Sequence, residues 1–113
     1  MGASLDRGRY SNKAIRKLRQ SKKEVVAFGS KSGTILDVTI DTELKQYDNI
    51  HTVSLYLNPK NQLLFYEYFI ELRPQRVIFN SGTENPALVS LLEEYGIRTE
   101  IACTLVLLTT NHY

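Results

Sequence analysis

The sequence predicts an α/β domain with a mostly parallel sheet, and three observations carry that prediction. Strand-like and helix-like hydropathy periods alternate several times along the chain, the connections between them are short, and three of the loops that follow strands carry small and polar residues. Strands alternating with helices imply right-handed crossovers, which lay successive strands parallel. At 113 residues the chain can bury roughly two thirds of its unfolded surface, enough for one hydrophobic core, so a single domain over residues 1–113 is expected.

Taken in order, Ser11 is placed to cap a helix running to about residue 21, with Ala14, Ile15 and Leu18 on its apolar face. Residues 24–28 then form a short apolar strand closed by Gly29. Residues 30–48 are polar and turn-rich, with a short edge strand at 38–40. A strand at 53–57 ends at Asn58-Pro59, where proline suits a first helical position. The helix that follows spaces Leu64, Tyr68, Phe69 and Leu72 for one buried face, and Pro74 stops it. Residues 76–79 give another strand. Asn85 is a fitting N-cap before Pro86, Leu88, Leu91, Leu92 and Tyr95 supply the next apolar face, and Gly96 closes that helix. The nearly unbroken apolar run at 103–108 suits a last strand covered on both faces.

Composition excludes several classes. With 42% hydrophobic and 23% charged residues the chain is ordinary globular material, not a disordered tail. The lone Cys103 cannot form an internal disulfide, which points to a reducing, cytoplasmic setting. No apolar run approaches the roughly 20 residues that span a bilayer, and the N-terminus lacks the apolar core of a signal peptide, so neither membrane insertion nor export is expected. Lys13, Arg16, Lys17, Arg19, Lys22 and Lys23 crowd one stretch of a chain whose net charge is only +2. Such a cluster reads either as a nucleic-acid patch or as the solvated face of an amphipathic helix. With no recognition motif or aromatic interleaving beside it, the solvated face is the better reading.

A parallel sheet binds ligands beyond the carboxyl ends of its strands, so the chemistry-bearing residues belong in the loops just before helices. Four loops qualify: Gly2-Ala3-Ser4, Gly29-Ser30-Lys31, Leu57-Asn58-Pro59-Lys60 and Asn80-Ser81-Gly82-Thr83. Each mixes small residues with hydroxyl, amide or ammonium donors, and two lead straight into helix N-termini, which attract anions through free backbone N–H groups. A phosphate-rich ligand fits them. Neither the G-x-G-x-x-G fingerprint nor a P-loop is present, so ordinary dinucleotide or nucleoside triphosphate binding lacks support. His51 and His112 do not stand in metal-ligand spacing, and no zinc site is expected. Glu84 reads as a dipole partner of the helix after it and not as a general base. Phe65, Tyr66, Tyr68 and Phe69 read as core and its margin.

At these residues the chain resembles the small stand-alone CoA-binding protein family, related to the CoA-binding domain of succinyl-CoA synthetase. The resemblance extends over nearly the whole chain. It rests on Gly2-Ala3-Ser4, Arg9-Tyr10-Ser11, the run from Glu24 to Ala27, the run from Thr52 to Pro59, and Arg76-Val77-Ile78-Phe79-Asn80. Most specific are Gly82-Thr83-Glu84-Asn85-Pro86 and the run from Ala102 to Leu108. It implies a Rossmann-like three-layer sandwich that holds coenzyme A non-covalently at the carboxyl ends of its strands. Carried onto this chain, Gly2, Ala3, Ser4 and Ser11 would contact the pyrophosphate, and Gly29 and Lys31 would lie near the adenosine end. Asn58, Pro59 and Lys60 would flank the adenine or ribose, and Asn80 with Gly82 would border the pantetheine arm. Cys103 has two readings: a small hydrophobe in a buried strand, or a thiol at the cleft that forms a reversible mixed disulfide with CoA.

Two positions depart from the family pattern. Ser81 stands where the family has proline, which frees the loop and adds a hydroxyl. Only Met1 precedes Gly2-Ala3-Ser4, where a central strand is expected, so the first strand reads as truncated, and the strands near Val25 and Val53 are each expected to lack a pairing partner. Three functions follow in descending order: a module for CoA or acyl-CoA acting as carrier, sensor or interaction partner; an enzyme acting on an acyl-CoA or nucleotide; and a nucleic-acid binder using the first helix. An exposed edge strand would make a homodimer reasonable, though no residue demands one.

Overall fold

Two three-stranded sheets organise the chain in the computed structural model, which describes residues 1–113. They belong to two units, the first comprising Met1–Leu44 and Thr104–Tyr113, the second Lys45–Cys103. Between residues 52 and 109 strands and helices alternate in chain order, as the hydropathy pattern predicts, whereas four strands follow one another without a helix between residues 27 and 55.

In the first unit α1 (Tyr10–Gln20) buries Ala14, Ile15 and Leu18, the apolar face expected of it. Strands β1 (Ala27–Phe28), β2 (Gly33–Ile35) and β3 (Val38–Asp41) form a sheet in the order β1-β3-β2, with β1 parallel and β2 antiparallel to β3. Ile15, Ala27, Ile35, Val38 and Ile40 make its core, with Ala3 and Val25 packed against them. The strand expected at the edge is therefore central. The strand outside it was invisible in the sequence, because Gly33-Thr34-Ile35 is too short to alternate and the two-residue hairpin loop, Leu36-Asp37, carries no Asn-Gly or Asp-Gly signal. Leu36 there adopts φ 55°, a left-handed conformation that a leucine rarely takes. The strand expected at 24–28 contracts to Ala27–Phe28. It does not lack a partner: on the flank opposite β3, the amides of Gly2 and Ala3 donate to the Phe28 carbonyl at 2.9 and 2.8 Å, and Ala3 forms a parallel bridge with Gly29.

Two further expectations in this unit are corrected. The apolar run at 103–108 is not a strand. Thr104–Thr109 forms a helix, α5, packed on α1, with Thr104 and Leu108 buried one turn apart and Val106 exposed. Burial at a spacing of four is helical, and the three leucines of the run are good helix formers. Ser11 is not the cap of α1; Arg9 holds the N-cap position without a side-chain hydrogen bond, and Ser11 lies inside the first turn.

In the second unit β4 (Thr52–Leu55), β5 (Arg76–Phe79) and β6 (Arg98–Ile101) run parallel in that order. All four residues of β5 are buried, as befits a central strand, whereas β6 exposes Arg98 and Ile101. An edge strand of mixed polarity gives no apolar run, which is why the sequence did not reveal β6. Between β4 and β5 lie α2 (Pro59–Gln62), a 3₁₀ turn at Leu63–Phe65, and α3 (Tyr66–Leu72). That turn breaks the helical period, so Leu64 is 86% exposed instead of buried, while Gln62 and Phe69 take the inward positions. Helix α4 (Pro86–Glu94) buries Leu88 and Leu92 and leaves Tyr95, its C-cap, exposed. Gly96 at φ 76° follows, the left-handed residue expected past a helix end.

Candidate functional site

The strands of the second sheet run parallel, as do β1, β3 and the bridge at Ala3 in the first unit, so within each unit the loops that follow these strands emerge at one end. In the second unit these are the segments after Leu55, Phe79 and Ile101; in the first, the segments after Ala3 and Phe28. The candidate ligand-binding residues lie in these segments, except Gly2 and Ala3 at the bridge itself and Ser11 in the first turn of α1.

In the first unit the chain turns sharply after Ala3. The Ser4 hydroxyl accepts from the Asp6 amide at 3.1 Å, and Asp6 Oδ1 accepts from the Gly8 amide at 2.9 Å. Asn12, 1% exposed, holds the turn from inside: its Nδ2 donates to the Ser4 carbonyl at 2.9 Å while its Oδ1 accepts from Arg16 Nε at 2.8 Å. Gly29 is buried against this segment, and a Cβ there would overlap the Ala3 carbonyl oxygen, so the close approach requires glycine. Lys31 is exposed.

At its start α1 has amides but no acceptor. No side chain caps it, no acidic residue lies in its first turn, and Ser11, 6% exposed, makes no hydrogen bond through its hydroxyl to any group of the chain. Arg7, Arg9, Lys13 and Arg16 surround this positive helix end in sequence. The Ser11 hydroxyl is not sealed from solvent, so water or a ligand from outside the chain can serve as its partner.

The second unit is arranged differently. Asn58 caps α2 by accepting from the Asn61 amide at 3.0 Å, Pro59 takes the first helical position, and Lys60 is exposed. One turn on, Gln62 is fully buried; its Nε2 donates to the Leu57 carbonyl at 2.7 Å and the Thr83 carbonyl at 2.8 Å. Its Oε1 accepts from Asn85 Nδ2 at 2.9 Å, and the same nitrogen reaches the Tyr66 hydroxyl at 2.9 Å. Asn85 Oδ1 caps α4 at the Leu88 amide, and Thr83 folds its hydroxyl back onto the Asn80 carbonyl at 2.7 Å. Asn80 Nδ2 donates to Leu55 O and Ser54 Oγ, joining the end of β5 to β4. Glu84 accepts from the Gly82 amide at 2.6 Å, an ordinary loop contact. Gly82 sits at φ 89° with open space where a side chain would be. Cys103 follows β6 and is exposed, which overturns its reading as a small hydrophobe in a buried strand.

Sequence reasoning found the loops but not the groups that hold them: it passes over Asn12 and Gln62, and reads Arg16 only as part of a solvated helix face and Tyr66 only as core and its margin. A signal existed for two of these: Asn12 shares a face with Ile15, and Gln62 lies seven residues before Phe69, so each is a polar residue on an apolar stripe. Arg76 is also buried, bonded to Thr52 Oγ1 and Glu100 Oε1, at the opposite end of the sheet from these loops. No group of three or more His, Cys, Asp or Glu side chains is placed to hold a metal ion, and no helix is long and apolar enough to cross a membrane.

A family model described as a CoA binding domain matches residues 1–109. Among solved structures, that of an uncharacterised protein is 42% identical with a TM-score of 0.96, the match covering 99% of this chain and 93% of that one. A protein from Thermus thermophilus is 19% identical with a TM-score of 0.87, covering 100% and 87% respectively, and one from Pyrococcus horikoshii is 20% identical at 0.79, covering 94% and 77%. The last two share the fold. None of the curated proteins matches. From the loop geometry and the match over residues 1–109, the chain belongs to the CoA-binding domain family.

Proposed function

We propose that this chain is a binding module that holds coenzyme A or an acyl-CoA non-covalently, as a carrier, a sensor or a docking element for another protein. The observation that carries this reading is the start of α1, with its uncapped amides and the hydroxyl of Ser11, which no group of the chain engages and which stays open to solvent. A pyrophosphate supplies the missing acceptors and the negative charge that a helix N-terminus favours. Ser4 and Ser11 are the groups to hold it, with Gly2 and Ala3 shaping the turn, since their amides already donate to Phe28. Gly29 and Lys31 are assigned to the adenosine end, where the Lys31 ammonium meets a phosphate. Asn58, Pro59 and Lys60 are assigned to the adenine and ribose. Asn80 and Gly82, with exposed Cys103 in the loop after the neighbouring strand, are assigned to the pantetheine arm; the open space at Gly82 suits a ligand passing close to the backbone.

Calorimetric titration with CoA, dephospho-CoA, ATP and NAD tests the reading. CoA is expected to bind saturably and best, and Ser11→Ala to weaken it by about tenfold, the worth of one hydrogen bond to a charged acceptor. Folded protein that binds none of the four would overturn it.

A further inference from the structure

We infer that Gln62 is a positioning residue which makes the two ligand loops of the second unit a single rigid element; this rests on the CoA reading above. Glutamine is rarely fully buried, and here its amide is used completely in one direction: both N–H donors and the carbonyl reach loop groups and nothing else. The Leu57 carbonyl belongs to the loop after β4, while the Thr83 carbonyl and the Asn85 side chain belong to the loop after β5. Those two loops carry Asn58, Pro59 and Lys60 on one side and Asn80 and Gly82 on the other. Asn85 extends the network to the Tyr66 hydroxyl and to the first turn of α4, so displacement of either loop breaks hydrogen bonds in the other. Gln62 itself has no exposed atom to offer a ligand, and it acts by fixing the spacing of the groups that do. A site built this way binds a long ligand by pre-organisation: the loops are ordered before CoA arrives, and the ordering cost is not charged against affinity.

Gln62→Met keeps the length and volume of the side chain and removes both donors and the acceptor. CoA affinity is expected to fall about tenfold or more, measured by calorimetry at a temperature where the variant is fully folded. Leu92→Ala, a core truncation farther along α4 and outside the network, is the control: it lowers the melting temperature without changing the affinity for CoA. Amide hydrogen exchange gives a readout without ligand, in which Gln62→Met releases the amides of residues 57–62 and 80–85 together while those of β5 stay protected. If Gln62→Met binds CoA as tightly as the parent, or if only one loop is released, the inference is overturned. If the parent chain itself binds no CoA, the functional reading fails, and exchange alone still decides whether Gln62 couples the loops.

Discussion

Helices α1 and α4 begin in opposite ways. At α4 the chain satisfies its own helix end: Asn85 accepts from the Leu88 amide and is held in turn by Gln62 and Tyr66. At α1 the cap residue is Arg9, without a side-chain hydrogen bond, and the Ser11 hydroxyl, open to solvent, has no partner in the chain. The first amides of both helices lack intrahelical acceptors, so the difference is informative. A helix end closed by its own side chains is a fixed wall; one left open beside basic residues is where an anion completes the structure.

The two loop glycines provide the largest test of this contrast. Gly29→Ala forces a methyl group into the Ala3 carbonyl, a backbone contact that cannot move aside, and is expected to destabilise the protein by about 3 kcal/mol in thermal unfolding. Gly82→Ala meets open space and carries only the left-handed backbone cost of about 1 kcal/mol. Equal losses at the two sites would show that the first loop is not held by close packing. Next in size, Asn85→Ala removes a helix cap and two buried hydrogen bonds and should lower stability by about 2 kcal/mol. Ser11→Ala, which removes a hydroxyl without a partner, should stay within about 0.5 kcal/mol. A large loss at Ser11 would break the comparison.

The smallest effect concerns pH. Arg19 Nε and Nη2 grip Asp37 at 2.8 and 2.6 Å, linking α1 to the β2–β3 hairpin, and these hydrogen bonds hold the Asp37 carboxyl below its ordinary value of 3.8. A lowered folded-state value means that the contribution is present in full above the unfolded value and is lost as pH falls through the folded one. Asp37→Asn should therefore melt slightly below the parent near neutral pH, and the gap should close below about pH 4. A gap independent of pH would assign the effect to hairpin geometry and not to charge. Asp37 is exposed and Arg19 half-buried, so solvent screens the pair and the effect is small.

Much of the fold was legible in the sequence. Amphipathic spacing found α1 and α4, the β5 strand was placed at its observed bounds, and the Asn-Pro pairs marked the starts of α2 and α4. What failed failed for physical reasons. The run at 103–108 is apolar enough for either a buried strand or a helix, and only packing against α1 chose the helix. Strands β2 and β6 are short and half-exposed, so neither left a period to read.

For the site, the sequence by itself determined where its parts are: small and polar residues after strands, ahead of helices, in a pattern that resembles one ligand-binding family. It could not determine which of those groups are already used. That Gly2 and Ala3 donate to Phe28, that Ser11 has no partner, and that Gln62 joins two loops separated by 21 residues were decided by the tertiary structure alone. Hydrogen-bond satisfaction depends on which distant backbone groups folding brings within about 3 Å, and no local pattern encodes that distance.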